Sequence, residues 1–418
     1  MSWEIETLAD IARGGLFTDG DWVESKDQDS SGGVRLTQLA DVGVGVFRDR
    51  SNRWMREDQA LRLNCTFLRP HDILIARMPD PIGRACLVPH GIERAVTVVD
   101  VAVLRIARQD LDPRFVMWAL NSPNVRARVE SMQSGTTRKR ISRRNLAAIG
   151  LSVPPVIEQQ RIVDMIEDQF SRLDAAERGL DVVIARTASL VQRALADASF
   201  GAELVPLADL AAIQSGIQKQ PKRRPSRNTA PFLRVANITA SGLDLAELHE
   251  VEMFAGDQER YQLLLGDLLV VEGNGSANQI GRAALWDNSV PGAVHQNHLI
   301  RVRPGPRLLP AYLEAVWNAP QLRRQLSSVA SSSSGLYTLS VRKLSALGIP
   351  VPSRAHQAEV VQRIALVREV AGRLRAEVMA AQHRSKLLRR AVLAYAFSGQ
   401  LTGATFDAAR IEESLAAQ

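Results

Sequence analysis

Apolar residues are grouped in two different rhythms along the chain. Short β-branched runs, Asp72 to Ala76 and Val96 to Leu104, are bounded by Gly and Pro and read as strands joined by loops. Asp267 to Val271 and Leu299 to Val302 repeat them later in the sequence. Over Arg114 to Glu130 and Pro310 to Leu326 the spacing becomes three and four residues, which predicts a helix in each place. Each half of the chain is therefore expected to hold a mixed α/β domain.

After Pro154-Pro155, and again after Pro352, the pattern turns long and helical, with the prolines marking the boundary. One seam of the first helix contains Ile162, Gln169, Ala176, Val183 and Leu190, and the other Ile166, Leu173, Leu180, Thr187 and Ala194. In the second helix the seams are Val360, Val367, Leu374, Ala381 and Leu388, then Ile364, Ala371, Val378, Ser385 and Val392. These are a/d-like heptads, and a helix of this length measures roughly 55–60 Å at 1.5 Å per residue. An apolar stripe so long needs a partner. The nearest is the other helix, and pairing as an antiparallel coiled coil would place the α/β domains at opposite ends.

The two halves align on each other at an offset of 198 residues. Ile82-Gly83-Arg84-Ala85 meets Ile280-Gly281-Arg282-Ala283, IGLSVPP from Ile149 meets LGIPVPS from Leu347, and LVQRALADASFG from Leu190 meets LRRAVLAYAFSG from Leu388. The segment around Asp72 aligns with that around Asp267 at 195, so the second copy carries a three-residue insertion, placed near Gly273 to Asn278. Ordered matches over such a length indicate duplication. The expected organisation is a domain over 1–157, a helix over 158–200, a second domain over 201–355, a second helix over 356–398 and a tail over 399–418.

With 418 residues the chain needs no staples, and its two cysteines, Cys65 and Cys86, supply neither a disulfide framework nor a zinc site. A reducing cytoplasm fits best. The N-terminal residues do not read as a signal peptide, and no run of about 18 apolar residues predicts a membrane span. Aromatic content of 5% leaves little for base stacking on single strands.

A net charge of +7 does not name a partner, but its placement is informative. Arg138, Lys139, Arg140, Arg143 and Arg144 form one cluster, and Lys219, Lys222, Arg223, Arg224 and Arg227 another. Such clusters suit DNA phosphates, although they also occur as solvated loops. For reading base edges the residue types needed are Arg, Asn and Gln. Arg35, Arg77 and Arg84 are candidates in the first domain; Arg234, Asn237, Asn278, Gln279, Arg282, Gln296 and Asn297 are candidates in the second. The repeated Gly-Arg pair could equally hold a turn.

Catalytic motifs are missing from the sequence. Glu272-Gly273-Asn274-Gly275 is not a P-loop, His295 and His298 find no third ligand, and neither Asp72 nor Asp267 is completed into a nuclease site. There is also no Asn/Asp-Pro-Pro-Tyr/Phe segment to hold a flipped base for methylation.

The whole arrangement resembles the specificity, or S, subunit of Type I restriction-modification enzymes. The similarity rests on the duplicated domains and helices, the IGLSVPP and LGIPVPS boundaries followed by Glu158-Gln159-Gln160-Arg161 and His356-Gln357-Ala358-Glu359, and AFSGQL from Ala396 to Leu401. What the resemblance implies is a noncatalytic subunit whose two target-recognition domains read the half-sites of a bipartite duplex-DNA sequence. It also implies two methyltransferase M subunits carrying S-adenosylmethionine (SAM), and two restriction R subunits using ATP and magnesium, with no cofactor in this chain. A duplicated DNA-binding regulator, or a peptide-binding scaffold without DNA, is the alternative.

Overall fold

In a computed structural model the described residues are 3–92, 94–135, 138–197, 202–239, 242–274, 280–333 and 336–398. The chain divides into two compact units, one of Met1–Leu180 with Ala380–Gln418 and the other of Asp181–Met379.

The first unit is built on a four-stranded antiparallel sheet in the order Leu16–Asp19, Val101–Arg105, Ile73–Ala76, Ala85–Leu87. Ile73 lies opposite Leu104 and Ile75 opposite Ala102. Both faces of this sheet are buried, which is why the sequence shows an unbroken apolar run rather than alternation. Ile73, Ile75 and Leu104 point to one core with Leu8, Phe115, Leu120 and Ile166, whereas Leu74, Ala76 and Val103 point to another with Val42 and Cys86. A smaller sheet, Trp54–Met55, Val34–Thr37 and Ala95–Thr97, pairs its last two strands in parallel.

The second unit has the same strand orders. Its main sheet runs Ala211–Ser215, Leu299–Pro304, Leu268–Val271, Ala283–Leu285, and its smaller one His249–Glu252, Thr229–Leu233, Val294–His295. Leu268 and Val270 face a core with Tyr312 and Trp317; Leu269 and Val271 face one with Trp286.

Four expectations need correction. Val96 to Leu104 is not one strand: Ala95–Thr97 and Val101–Arg105 belong to different sheets, separated by the turn at Val98 to Asp100. Each predicted single helix is two, Pro113–Asn121 with Pro123–Ser131, and Pro310–Trp317 with Pro320–Val329. Pro123 and Pro320 take the first helical position and drive the preceding residue extended, as at Ser122 with ψ 147° and Ala319 with ψ 145°. The long helices span Val156–Asp197 and Arg354–Ala396, each beginning two residues earlier than predicted.

The fourth correction concerns the helix seams. In the second long helix, both expected series are buried or half-buried throughout. In the first, the series from Ile166 through Leu173 and Leu180 to Ala194 holds, and Ile162 is buried. Val183 and Leu190, however, are 38% and 56% exposed. The second inward series runs one residue later, through Val163, Phe170, Glu177, Ile184 and Val191. The polar Glu177 disguised it. In the first unit Glu177 accepts the Ser385 hydroxyl at 2.6 Å, Arg389 pairs with Asp174 at 2.6 Å, and Arg389 covers the Phe170 ring at 5.1 Å. In the second unit Leu195 shares a core with Val360 and Ile364.

Both units fasten a long helix to the α/β part through one buried glutamine. Gln159 accepts the Asp112 N–H at 2.8 Å and donates to the carbonyls of Asp110 and Pro154. Gln357 accepts the Leu309 N–H at 2.8 Å and donates to Arg307 and Pro352.

Candidate nucleic-acid interface

In the first unit the turn at Val98 to Asp100 gathers a basic surface. Val99 offers its carbonyl to Arg77 at 3.0 Å and to Arg140 at 3.3 Å, and Asp100 pairs with Arg140 at 3.2 Å. The Ile141 N–H donates to the Arg77 carbonyl, which joins the 138–144 segment to the end of strand Ile73–Ala76. Arg138, Lys139, Arg143 and Arg144 remain exposed, the last two on the short helix Arg143–Ala147 capped by Ser142. Those four guanidinium and ammonium groups suit phosphate contact.

The base-reading candidates of this unit are largely committed to the fold. Arg77, 6% exposed, also pairs with Asp19 at 2.7 Å and donates to the Ile141 carbonyl. Arg84, 4% exposed, donates to the carbonyls of Val42, Pro81 and Leu39 at 2.6, 2.9 and 2.8 Å. Burial pushes both guanidinium pKa values down. Gly83, with φ +74°, supplies the turn: a Cβ there would sit 2.6 Å from Val129. The repeated Gly-Arg pair is thus a packing device in this unit.

Arg35 pairs with Asp49 and, at 3.5 Å, with Asp41, and it donates to the Ser51 carbonyl. Burial pushes the Asp41 carboxyl up, but the N–H groups of Gln38, Arg50 and Ser51 and the Ser51 hydroxyl outweigh it and hold it below the usual range. Asp41 thereby organises a loop carrying exposed Arg48, Arg50 and Arg53, which sequence reasoning missed. Three arginines within FRDRSNR were the available signal.

In the second unit, backbone bonds join Ile217 to His295 and Asn297, and Gln296 to Leu233, so the 217–227 segment starts beside Gln296 and Asn297. Both residues are half-buried, and no side-chain hydrogen bond engages either amide among the described residues. Lys219, Lys222 and Arg224 are exposed, but Arg223 is not free: it pairs with Asp257 at 2.6 Å, stacks on Phe254 and holds the Asp257 carboxyl below its usual range. Arg234 pairs with Glu247 at 3.2 Å, and Asn237 is buried, bonding Arg234, Asp244 and Glu247 main-chain groups. Arg282 lies half-buried near the Val235 carbonyl at 3.5 Å. Asn278 and Gln279 lie outside the described residues.

The acidic residues considered for nuclease chemistry are structural. Arg105 grips Asp72 through two 2.7 Å bonds, and Arg303 grips Asp267 identically. His295 is fully buried and its pKa is pushed down by burial to about 4, whereas His298 is exposed beside Glu272 at 3.1 Å. Among the described residues no group of three or more His, Cys, Asp or Glu could hold a metal, and no helix is long and apolar enough to cross a membrane.

These features define a chain of two α/β units with like sheet orders, long helices and basic loops. Comparison with known proteins gives that class a more particular likeness: the chain resembles the specificity subunits of Type I restriction enzymes. It is 24% identical over 309 residues to the EcoKI specificity subunit of Escherichia coli K12, covering 69% of this chain and 65% of that one. To the StySPI specificity subunit of Salmonella potsdam it is 22% identical over 306 residues, covering 70% and 66%. These matches thus span just under two thirds of each relative's length. The EcoBI specificity subunit of Escherichia coli is 21% identical over 436 residues, covering 96% and 86%. No protein-family model matches.

Solved structures show the same fold. A chain from a study of assembly and conformational transition in the type I R-M system aligns with TM-score 0.69 at 17% identity, covering 96% of this chain and 98% of that one. The HsdS subunit from Thermoanaerobacter tengcongensis aligns with TM-score 0.56 at 17% identity, covering 96% and 97%.

Proposed function

We propose that this protein is the noncatalytic specificity subunit of a Type I restriction-modification enzyme. The modules over 1–157 and 201–355 arose by duplication, and each reads one half-site of a bipartite duplex-DNA sequence. The helices over 158–200 and 356–398 pair as an antiparallel coiled coil, which sets the half-site spacing and receives M subunits; 399–418 form the tail. Two M subunits supply SAM and adenine methylation, and two R subunits supply ATP- and magnesium-dependent cleavage. The setting is cytoplasmic.

One observation carries the reading. Each unit offers exposed basic groups beside a turn or loop of its smaller sheet, and both units fasten a long helix through an equivalent glutamine. Two readers with like scaffolds but different surfaces suit two unlike half-sites. In the first unit Arg138, Lys139, Arg143 and Arg144 contact phosphates, with Arg48 and Arg50 beside them in this role; in the second, Lys219, Lys222 and Arg224 do so while Gln296 and Asn297 address base edges.

The test is co-purification with the genomically neighbouring M protein, then selection from randomised duplex DNA at fixed salt. A complex enriching two separated sequence blocks supports the proposal. DNA selection without M association points to a regulator, and no selective binding removes DNA recognition altogether.

A further inference from the structure

His71 occupies a backbone position that the second unit gives to glycine. It immediately precedes the ion-paired Asp72, as Gly266 precedes Asp267. The two sites share their surroundings: the His71 N–H donates to the Val88 carbonyl at 3.0 Å and the Gly266 N–H to the Trp286 carbonyl at 2.9 Å. Both are left-handed, with φ +68° at His71 and +90° at Gly266. Glycine meets that conformation without steric cost, whereas a residue carrying a Cβ adopts it only at a cost.

From that position the His71 ring meets His90. The two Nε2 atoms are 2.8 Å apart, the rings stand at 81° with centroids 4.6 Å apart, and both residues are exposed. A hydrogen bond between exposed imidazoles competes with water and returns little, so it does not account for the strained residue. Two ring nitrogens held side by side at the surface are, however, half of a metal site.

We propose that His71 and His90 form a two-histidine grip for a divalent transition-metal ion of the copper(II) or nickel(II) class, with the remaining positions taken by water. Imidazole nitrogens suit copper(II) and nickel(II), and copper(II) stands at the top of the divalent affinity order. Two Nε2 atoms already 2.8 Å apart lie within reach of one ion at metal–nitrogen distances of about 2.0–2.1 Å. Exposed rings have room to turn both Nε2 lone pairs toward one point. This site stands apart from the DNA-recognition reading and would survive its failure.

The experiment uses the full chain, free of any polyhistidine tag, titrated with nickel chloride by calorimetry and loaded with copper sulfate for electron paramagnetic resonance. His71→Gly, His90→Ala and the control His298→Ala are compared. His71→Gly places at this position the residue found at Gly266, so the thermal midpoint without metal should not fall. The expected result is one ion per chain, with two nitrogen ligands in the copper spectrum. Either His71→Gly or His90→Ala should weaken binding by roughly tenfold or more, through loss of one of two ligands, and His298→Ala should not. Equal affinity across all four proteins, or a copper spectrum lacking paired nitrogens, overturns the site.

Discussion

Gln159 accepts the backbone N–H of Asp112 at 2.8 Å and thereby ties the start of a long helix to the start of the helix Pro113–Asn121. Its amide also donates to two carbonyls, so a fully buried side chain satisfies three main-chain groups at once. Gln159→Leu keeps the volume but strands those groups, at about 1–3 kcal/mol for each that water cannot reach. We expect a loss of about 2–4 kcal/mol in urea unfolding, reproduced by Gln357→Leu in the second unit. Hydrogen exchange should quicken at Asp112 in one variant and at Leu309 in the other. A variant with unchanged stability would show that these bonds are replaceable by solvent.

The Asp72–Arg105 and Asp267–Arg303 pairs make a second prediction, because both carboxylates are almost wholly buried. Asp72→Ala leaves Arg105 facing a desolvated site and should cost about 3 kcal/mol or more, as removal of one partner from a buried pair does. Selectivity for DNA in the remaining folded fraction should be unaltered. Nuclease chemistry would instead predict loss of a magnesium-dependent activity with stability retained, and differential unfolding with a plasmid-nicking assay separates the two.

How much of this was legible in the sequence depends on whether a local pattern carried the signal. The sheet strands Ile73–Ala76 and Leu268–Val271 were visible because both faces are buried, giving unbroken apolar runs. The Pro123 and Pro320 breaks were also written in the sequence, yet apolar periodicity continuing across them suggested single helices. The seam through Glu177 was hidden, since a carboxylate satisfied by Ser385, more than 200 residues away in sequence, looks like a surface residue. The same holds for the arginines. Sequence identifies the residue type suited to a guanine edge, but only the fold reveals that Arg84 is spent on buried main-chain carbonyls while Arg143 and Arg144 are exposed.

That division between committed and exposed arginines is testable by salt dependence. Arg143→Gln and Arg144→Gln remove exposed charges outside the core, so they should weaken DNA binding across sequences and reduce the slope of log K against log salt by about one for each phosphate no longer neutralised. Arg84→Met should instead lower stability, since the carbonyls of Val42, Pro81 and Leu39 lose their donor. Filter binding at several salt concentrations, alongside thermal unfolding, reads both. A changed sequence preference in Arg143→Gln would assign that side chain to base edges rather than phosphates.

Acid should act on the second unit through His295. Burial lowers its pKa from 6.5 to about 4, and the nearby Arg301 charge pushes in the same direction. The unfolded chain therefore binds a proton between about pH 6.5 and 4 that the folded chain refuses. This contribution is fully present above the unfolded value, falls as pH drops through that window and levels off below the folded value. The whole window amounts to about 3 kcal/mol, at 1.36 kcal/mol per unit. His295→Gln should flatten this part of the profile in urea unfolding followed from pH 7 to pH 4, whereas His298→Gln, at an exposed site, should leave the slope in place. If the slope survives His295→Gln, the acid sensitivity belongs to other groups in the fold.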